Sequence, residues 1–420
     1  MKKSGSTYNK NILKLLTGTT LAQAIPIAIS PILTRLYTPE DFGVLALFIA
    51  ITTVVGTIAN LRYELAIVLP KKEENAVNLV ALSILISSVI SLLFMLLIII
   101  CYEDIIYLIG NDEIGNWLYT IPIAIFFIGI FNALNYYNTR LENFGLIAKV
   151  KVLKTLSLSI FQMLFGYLKF GFGGLIGGQL ISHIFSNGKL ALSLFKNKVL
   201  IQKINIKQMI KLAVRYKRFP LITMWASFAN TLSQHSITFF LSLIYSTSLL
   251  GQYSLIQRIL GLPTSLIGRS IGQVFLQKAT SEKNIRGNAK KIYVSTLMKL
   301  LVISLPIFTI MFFVIEDLIR FVFGEEWGIA GVYAKYLLPL FFLRFLATPL
   351  SLINIIFERQ KIDLIWQSSL LISTVLIFIF CWLYKLNIYT FFTVYSVIIS
   401  FNYFIILIVT YQVSKNKTKK

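Results

Sequence analysis

Apolar runs of about 20 residues or more, the length that crosses ~30 Å of hydrocarbon, recur along the whole of this chain. Of its 420 residues, 56% are hydrophobic and only 14% charged. A soluble protein of this length would break its apolar stretches far more often. Continuous runs also exclude a barrel, whose strands alternate over ~10 residues. The fold class predicted is an all-α polytopic membrane protein.

Twelve spans are predicted, near 12–36, 42–69, 76–101, 117–137, 150–168, 172–195, 219–244, 249–277, 293–315, 329–356, 364–384 and 388–412. Nothing between them is large enough for a soluble domain, and the longest polar stretch, 196–218, has room only for an amphipathic helix. The first span is too long for a signal-peptide core and lacks a small-residue cleavage site, so it reads as an uncleaved helix. Pro26 and Pro31 predict a kink in it beside a cavity.

Charge sets the predicted orientation. With the N-terminus inside, 29 of the 40 Lys and Arg fall in or at the edge of inward segments, Lys151 and Lys154 among them. Only Arg35, Lys169, Arg320 and Lys385 fall outward. This is the positive-inside bias, and it places both termini in the cytoplasm. Glu40, Asp41, Glu103, Asp104, Asp112, Glu113, Glu316, Asp317, Glu325 and Glu326 are assigned outward. The net charge of +23 therefore reflects topology and attraction to an anionic inner leaflet, and no nucleic-acid partner is expected. Two cysteines, Cys101 and Cys381, and two histidines are too few and too scattered for a disulfide framework or a metal site.

The chain repeats itself. Leu36-Tyr37-Thr38 and Gly43 return as Ile244-Tyr245-Ser246 and Gly251, an offset of 208 residues. The polar patches Asn138-Thr139-Arg140 and Glu358-Arg359-Gln360 end the fourth and tenth spans in the same way. Six spans repeated in one orientation predict two six-helix lobes able to rock about a central site. The predicted division is 1–196 for the first lobe, 197–218 for a basic cytoplasmic linker and 219–420 for the second lobe.

Several charges fall inside spans: Arg62, Glu64, Arg258, Arg269, Lys335 and Arg344. Each cation at the bilayer centre costs ~2.5–3.5 kcal/mol on insertion scales, so the group calls for water or an anion. On a straight helix, Arg258 and Arg269 share a face about 16 Å apart, like steps along a path. Arg62 and Glu64, two residues apart, are expected to point to different faces and not to pair. Arg269 and Lys335 read equally well as cations snorkelling to an interface. Glu64 alone cannot neutralise Arg62, Arg258 and Arg344, so the surplus predicts a cationic, water-filled cavity for an anionic group. Arginine suits a diphosphate because its planar fork donates in pairs and keeps its charge when desolvated.

Polar stripes extend this picture. Ser227, Asn230, Thr231, Gln234 and Thr238 fall at helical spacing, as do Thr20, Gln23, Ser30 and Thr34. Such groups can bond sugar hydroxyls or join helices. Asn230, Gln234 and Gln23 are assigned to the glycan wall, and Glu64 is the candidate for H+ or Na+ coupling. His235 reads as structural. Gly171 to Gly178 mimics a phosphate loop but enters an apolar span, so Gly173/Gly177 and Gly174/Gly178 predict close helix packing. With no Walker sequence anywhere, the chain is not expected to be an ATPase, and no other cofactor is expected.

Two segments carry a family likeness, Arg35-Leu36-Tyr37-Thr38-Pro39-Glu40-Asp41-Phe42-Gly43 and Leu61-Arg62-Tyr63-Glu64-Leu65-Ala66-Ile67-Val68-Leu69-Pro70. With Tyr216-Lys217-Arg218-Phe219-Pro220, the run from Gly251 to Pro263 and Ile271-Gly272-Gln273-Val274-Phe275, they resemble the polysaccharide-transport family of the MOP exporters over essentially the whole chain. The resemblance implies a MATE-like MOP flippase fold of twelve transmembrane helices in two six-helix lobes. It further implies export of undecaprenyl-diphosphate-linked oligosaccharide repeat units across a bacterial inner membrane, for O-antigen or capsule assembly. Membrane lipid, and the polymerase and chain-length proteins of the same pathway, would be its partners. Related lipid II flippases use cavity arginines on helices 1, 2 and 8; Arg62 and Arg258 occupy comparable helices, and Arg35 lies at the outer end of the first. Those relatives carry fourteen helices, and the two absent here argue against lipid II as substrate.

Two other classes compete. A multidrug or cation antiporter of the same fold needs a carboxylate-rich cavity. A membrane polymerase needs a large outward loop with catalytic acids, whereas the segments near 102–116 and 316–328 are short.

Overall fold

In the computed structural model, which describes residues 2–109, 112–196 and 198–415, the regular structure is helical, with no strand among the described residues. The long helices are Lys2–Leu36 (α1), Pro39–Gly56 (α2), Glu73–Ile100 (α3), Thr120–Arg140 (α4), Phe144–Tyr167 (α5), Phe172–Phe195 (α6), Met224–Ile244 (α7), Thr247–Leu260 (α8), Arg269–Arg286 (α9), Lys290–Phe323 (α10), Gly328–Leu350 (α11), Gln360–Leu383 (α12) and Ile388–Lys415 (α13). With α8 and α9 taken as one broken path, they follow the twelve predicted spans. Among the described residues, seven helices are long and apolar enough to cross a membrane, eight with the bent pair. Polar positions dilute the others, such as Lys149, Lys151 and Lys154 on α5. The lysines counted inward at 417, 419 and 420 lie outside the described residues, as do the side chains of Lys2, Lys3, Lys10 and Lys14.

The described residues fall into two compact units, Met1–Gly251 and Gln252–Lys420. In the first, α1 packs along α5, α5 along α6, and α3 and α6 against α4, while α2 touches α4, α6 and α7. In the second, α11 packs between α10 and α13, and α9 rests on α10 and α11. Membrane packing favours small residues at such crossings. Gly173 lies on the Trp117 ring, Gly174 on Tyr37 and Phe165, and Gly178 on Gln162, as predicted for this glycine run. A Cβ at Gly178 would stand 2.6 Å from Gln162 Cγ.

The first signature segment builds the start of α2. Thr38 caps the helix: its hydroxyl accepts from the Asp41 N–H at 3.2 Å, and the Thr38 N–H donates to Asp41 Oδ2 at 2.9 Å. Pro39 fills the first helical turn, where a missing N–H costs nothing. Tyr37, 3% exposed, donates its hydroxyl to the Gln162 carbonyl at 2.6 Å. Its repeat counterpart builds the start of α8, where Ser246 Oγ accepts from the Leu249 N–H at 3.1 Å.

These two turns meet each other. A Cβ on Gly43 would run into the backbone of Thr247, and one on Gly251 into the backbone of Pro39. Pro39 and Thr247 differ by the same 208 residues as Gly43 and Gly251. The two turns therefore meet symmetrically, each glycine lying against the residue four before the other. Only glycine allows backbones this close.

Two expectations drawn from straight helices fail. Residues 42–69 are not one helix: α2 stops at Gly56, a run of turns follows, and Tyr63–Val68 is a short 3-10 helix. Arg258 and Arg269 are not steps along one straight helix, because the path bends by 43° between them. Pro263 supplies no N–H there, and Thr264–Gly268 winds as a π-turn. Arg258 ends half-buried on α8 and Arg269 exposed at the start of α9.

Candidate functional site

The second signature segment builds the site. Past Gly56, where a Cβ would stand 3.1 Å from Ile128 Cγ2, the chain turns through Asn60, which is 1% exposed. The Asn60 amide donates to the carbonyls of Ser83, at 3.0 Å, and Gly129, at 3.1 Å, tying the turn to α3 and α4. Leu61 and Arg62 then adopt left-handed backbone, with φ of 48° and 64°. Two consecutive non-glycine residues in that region store about 1–3 kcal/mol each, so the surrounding bonds must hold them there.

That conformation brings together two side chains expected to diverge. Arg62 Nη1 lies 3.3 Å from Glu64 Oε1. The divergence assumed helical geometry, and the left-handed turn removes it. Glu64 is 2% exposed and Arg62 24%. Arg62 Nε and Glu64 Oε2 are buried with no hydrogen-bond partner among the described residues. The pair is thus half satisfied, a costly state in a low-dielectric setting.

Arg62 lines a cavity of about 320 Å³ inside the first unit. Its floor is α2, with Thr52, Thr53 and Thr57 in the wall; α4 contributes Asn132, α5 Lys154, and α6 Gln179 and His183. Lys154 Nζ stands 3.4 Å from His183 Nε2 and 3.5 Å from Nδ1, and 4.9 Å from the centre of the Phe131 ring. Among the described residues no carboxylate pairs with Lys154. Lys154 follows the start of α5 by ten residues and precedes its end by thirteen, which sets it about 15 and 20 Å from the two ends. Arg62 lies six residues beyond the end of α2, a helix of eighteen residues about 27 Å long. In this cavity Lys154 therefore stands near the middle of its helix, and Arg62 lies past the end of α2.

Sequence reading missed Lys154 by counting it with the inward flank of α5, and it missed His183, Asn132 and Gln179 altogether. One signal was present: a lysine inside an apolar span raises the same question as Arg62. His183, buried at 3%, is the cavity histidine, whereas His235 sits half-buried on α7.

The other predicted residues lie elsewhere. Asn230 and Gln234 are exposed on α7 and bond each other at 3.4 Å, while Thr231 reaches Thr57 at 3.3 Å and joins α7 to the end of α2. Gln23 is half-buried on α1. Ser30 and Thr34 are buried and donate their hydroxyls back to the carbonyls of Pro26 and Pro31 on the same helix. In the second unit, Arg344 is half-buried on α11, its guanidinium 5.7 Å from the Phe341 ring centre. Lys335 is paired with Glu316 and is not a free cation.

The cavity's charges and neutral donors have the chemistry to hold an anion. Arg62 is already half-committed to Glu64; Lys154 has no carboxylate partner among the described residues; Asn132, Gln179 and the threonines can bond hydroxyls or phosphate oxygens. Its walls are also apolar, with Phe48, Ile49 and Ile128 limiting access to water. Among the described residues no cluster of ligands suited to a metal occurs.

Solved structures share this architecture. A lipid II flippase, MurJ, in an inward closed conformation aligns over 94% of this chain and 87% of its own, with a TM-score of 0.73 and 16% identity. A multidrug resistance transporter of the MATE family in its inward-facing conformation aligns over 94% and 93%, with a TM-score of 0.60 and 15% identity. A MOP superfamily transporter from Pyrococcus furiosus aligns over 98% and 97%, with a TM-score of 0.58 and 15% identity. At these identities the likeness establishes the fold, that of the MOP superfamily transporters. No curated protein matches the chain by sequence. A family model described as polysaccharide biosynthesis protein matches residues 32–330, well over half of the chain. The chain belongs to the polysaccharide biosynthesis protein family.

Proposed function

We propose that this protein is a flippase that carries undecaprenyl-diphosphate-linked oligosaccharide repeat units from the inner to the outer face of a bacterial cytoplasmic membrane. The observation that carries this reading is the uncompensated cation at Lys154, at mid-depth in a cavity lined by neutral donors. A mid-membrane ammonium without a carboxylate is expensive unless water or an anion attends it. A diphosphate is a fitting guest, since it offers several acceptor oxygens and two negative charges at one end of a long lipid.

The residues suggest an order of events. The diphosphate meets Arg62 at the inward end, draws its guanidinium from Glu64, and passes on to Lys154. Glu64, left without its cation in an apolar setting, then takes up a proton or Na+, which couples ion entry to loading. Sugar hydroxyls bond Asn132, Gln179 and the threonines of α2, while the polyprenyl tail stays in lipid. Arg258, Arg269 and Arg344 serve the second repeat, with Asn230, Gln234 and Gln23 as further glycan donors. Release outward requires the glycine contact between the starts of α2 and α8 to part, as the six-helix repeats, divided near 197–218, rock against each other. O-antigen or capsular polymer is the product we assign, with the polymerase and chain-length proteins of the pathway downstream and both termini in the cytoplasm.

A multidrug antiporter remains the second reading, and the lining disfavours it. A cavity for cationic drugs needs free carboxylate, whereas Glu64 is engaged by Arg62 and the wall itself carries Lys154. The two readings separate in a deletion strain. Lipid-linked repeat units should accumulate intact on the inner face and return outward with the wild-type gene, but not with Lys154→Ala. Unchanged display in the deletion strain, with altered drug sensitivity, would move the antiporter to the front.

A further inference from the structure

The segment that joins α6 to α7 holds a surface that transport does not use. Ile206–Arg215 is a ten-residue helix in which Asn205 Oδ1 accepts from the Lys207 N–H at 2.8 Å. One face of it is anchored. Met209 and Leu212 are buried against α3, Gln208 bonds Asn75 at 2.7 Å, and the Ala213 carbonyl accepts from the Tyr63 hydroxyl at 3.0 Å. Just ahead of it, Asn78 binds the carbonyl of Lys203 at 3.1 Å and accepts the Asn205 N–H at 2.9 Å.

The rest of the helix is divided in an unusual way. Ile206, Ile210 and Val214 form one stripe at four-residue spacing and are 71%, 60% and 62% exposed. Lys207, Lys211 and Arg215 form the adjoining stripe, and all three are exposed. At ~100° per residue the basic stripe sits one step around the helix from the aliphatic one. A helix meeting only water would not keep three large aliphatics on one exposed stripe; a helix lying in a bilayer interface needs this pairing of apolar and basic rows. Chain connectivity enforces that location, because α6 ends at Phe195 and the next membrane helix is under way by Met224. Exposed aliphatics continue along both approaches, at Val199, Ile204, Leu221 and Ile222. This is also the side on which the positive charge of the chain gathers.

We propose that Ile206–Arg215 is seated in the anionic phospholipid surface of the inner leaflet, with Ile206, Ile210 and Val214 among the upper acyl carbons and Lys207, Lys211 and Arg215 against phosphates. Because Asn75, Asn78 and Tyr63 bind the same segment, and Tyr63 adjoins Arg62, the seat makes the inward end of the cavity sensitive to leaflet charge. That consequence rests on the flippase reading; the seating itself does not.

Spin labels placed singly at 206, 207, 210, 211, 214 and 215 in the full-length protein test it, in bilayers of phosphatidylglycerol with phosphatidylethanolamine and in bilayers of phosphatidylcholine alone. In the first, positions 206, 210 and 214 should collide with dissolved oxygen and be shielded from a water-soluble relaxant, with the pattern reversed at 207, 211 and 215. The contrast should weaken in phosphatidylcholine. Replacing Lys207, Lys211 and Arg215 by Gln should reduce the preference for phosphatidylglycerol by roughly fivefold for each charge removed. Equal access of the water-soluble relaxant to both stripes would overturn the proposal. So would shielding that is the same in both lipids, or shielding that arises only when a soluble cell extract is added, which would make the stripe a protein-docking site. A folded, lipid-seated protein that nevertheless fails to move repeat units would sink the flippase reading and leave the seat standing.

Discussion

The two ends of α2 are both encoded by signature segments, and they are built on opposite principles. At Thr38–Asp41 the helix start is capped: the Thr38 and Asp41 side chains cap each other's backbone N–H, proline occupies the turn that can accept it, and glycine allows the neighbouring helix to touch. Past Gly56 the chain holds two left-handed residues, a half-satisfied ion pair and an asparagine whose amide is fully used while its carbonyl is not. One end settles where the helix begins. The other stores strain and unspent hydrogen-bonding capacity beside a cavity, which is where binding has something to gain.

Perturbing the strained end should therefore hurt transport first, and perturbing the capped end should hurt stability first. The largest effect is expected at Lys154 and Arg62. Lys154→Ala or Arg62→Ala removes a charge-assisted bond worth about 1.5–3 kcal/mol to a phosphate guest, so export should fall by roughly 10- to 100-fold; the melting temperature should change little for Lys154→Ala but fall for Arg62→Ala, which strands the buried Glu64 carboxylate. Repeat-unit display on intact cells and thermal unfolding of the purified protein measure the two halves of that statement. Glu64→Ala leaves the Arg62 cation with no partner; it should cost about 2 kcal/mol of stability, below the figure for a fully buried pair because Arg62 keeps some contact with solvent. Adding Arg62→Ala should restore part of that loss, which a double-mutant cycle reads directly.

At the capped end the effects are smaller and of another kind. Gly43→Ala drives a methyl into the Thr247 backbone and should destabilise by about 1–3 kcal/mol. Gly251→Ala should do the same, and the pair together should cost less than the sum, since both act on one contact. Additive losses would mean the two glycines are independent. Thr38→Ala removes the cap for about 1 kcal/mol, Thr38→Ser should be close to neutral, and neither should change transport per folded molecule. Smallest of all, Leu61→Gly relieves a left-handed backbone and should move stability by less than ~1 kcal/mol, in the favourable direction. A clear loss there would show that the Leu61 side chain, not the turn, is what holds Arg62.

How far the sequence could be read follows from the same contrast. Features that depend on local chemistry were legible: the span at 172–195 matches α6 residue for residue, and the glycine run that opens it packs closely at Gly173, Gly174 and Gly178. Features that depend on where a helix breaks were not. Nothing in Gly56-Thr57-Ile58-Ala59-Asn60 is a strong breaker, so 42–69 read as one apolar span, and the divergence of Arg62 from Glu64 followed from a helix that does not exist. The break is fixed by tertiary bonds from Asn60 to Ser83 and Gly129. Pro263 did announce its bend, and the spacing of Arg258 and Arg269 ignored it. Lys154 was lost because a count of charges by flank cannot tell a lysine at a membrane surface from one facing a cavity.

The central claim is that Lys154 holds the lipid diphosphate at mid-membrane, and one assay meets it directly. In spheroplasts of a deletion strain carrying wild type, Lys154→Arg or Lys154→Gln, an impermeant glycosidase reports how much lipid-linked oligosaccharide has reached the outer face. The account predicts full digestion with wild type, partial digestion with the arginine variant, and protected, inward-facing repeat units with the glutamine variant expressed at the same level. Digestion as complete with Lys154→Gln as with wild type would contradict it.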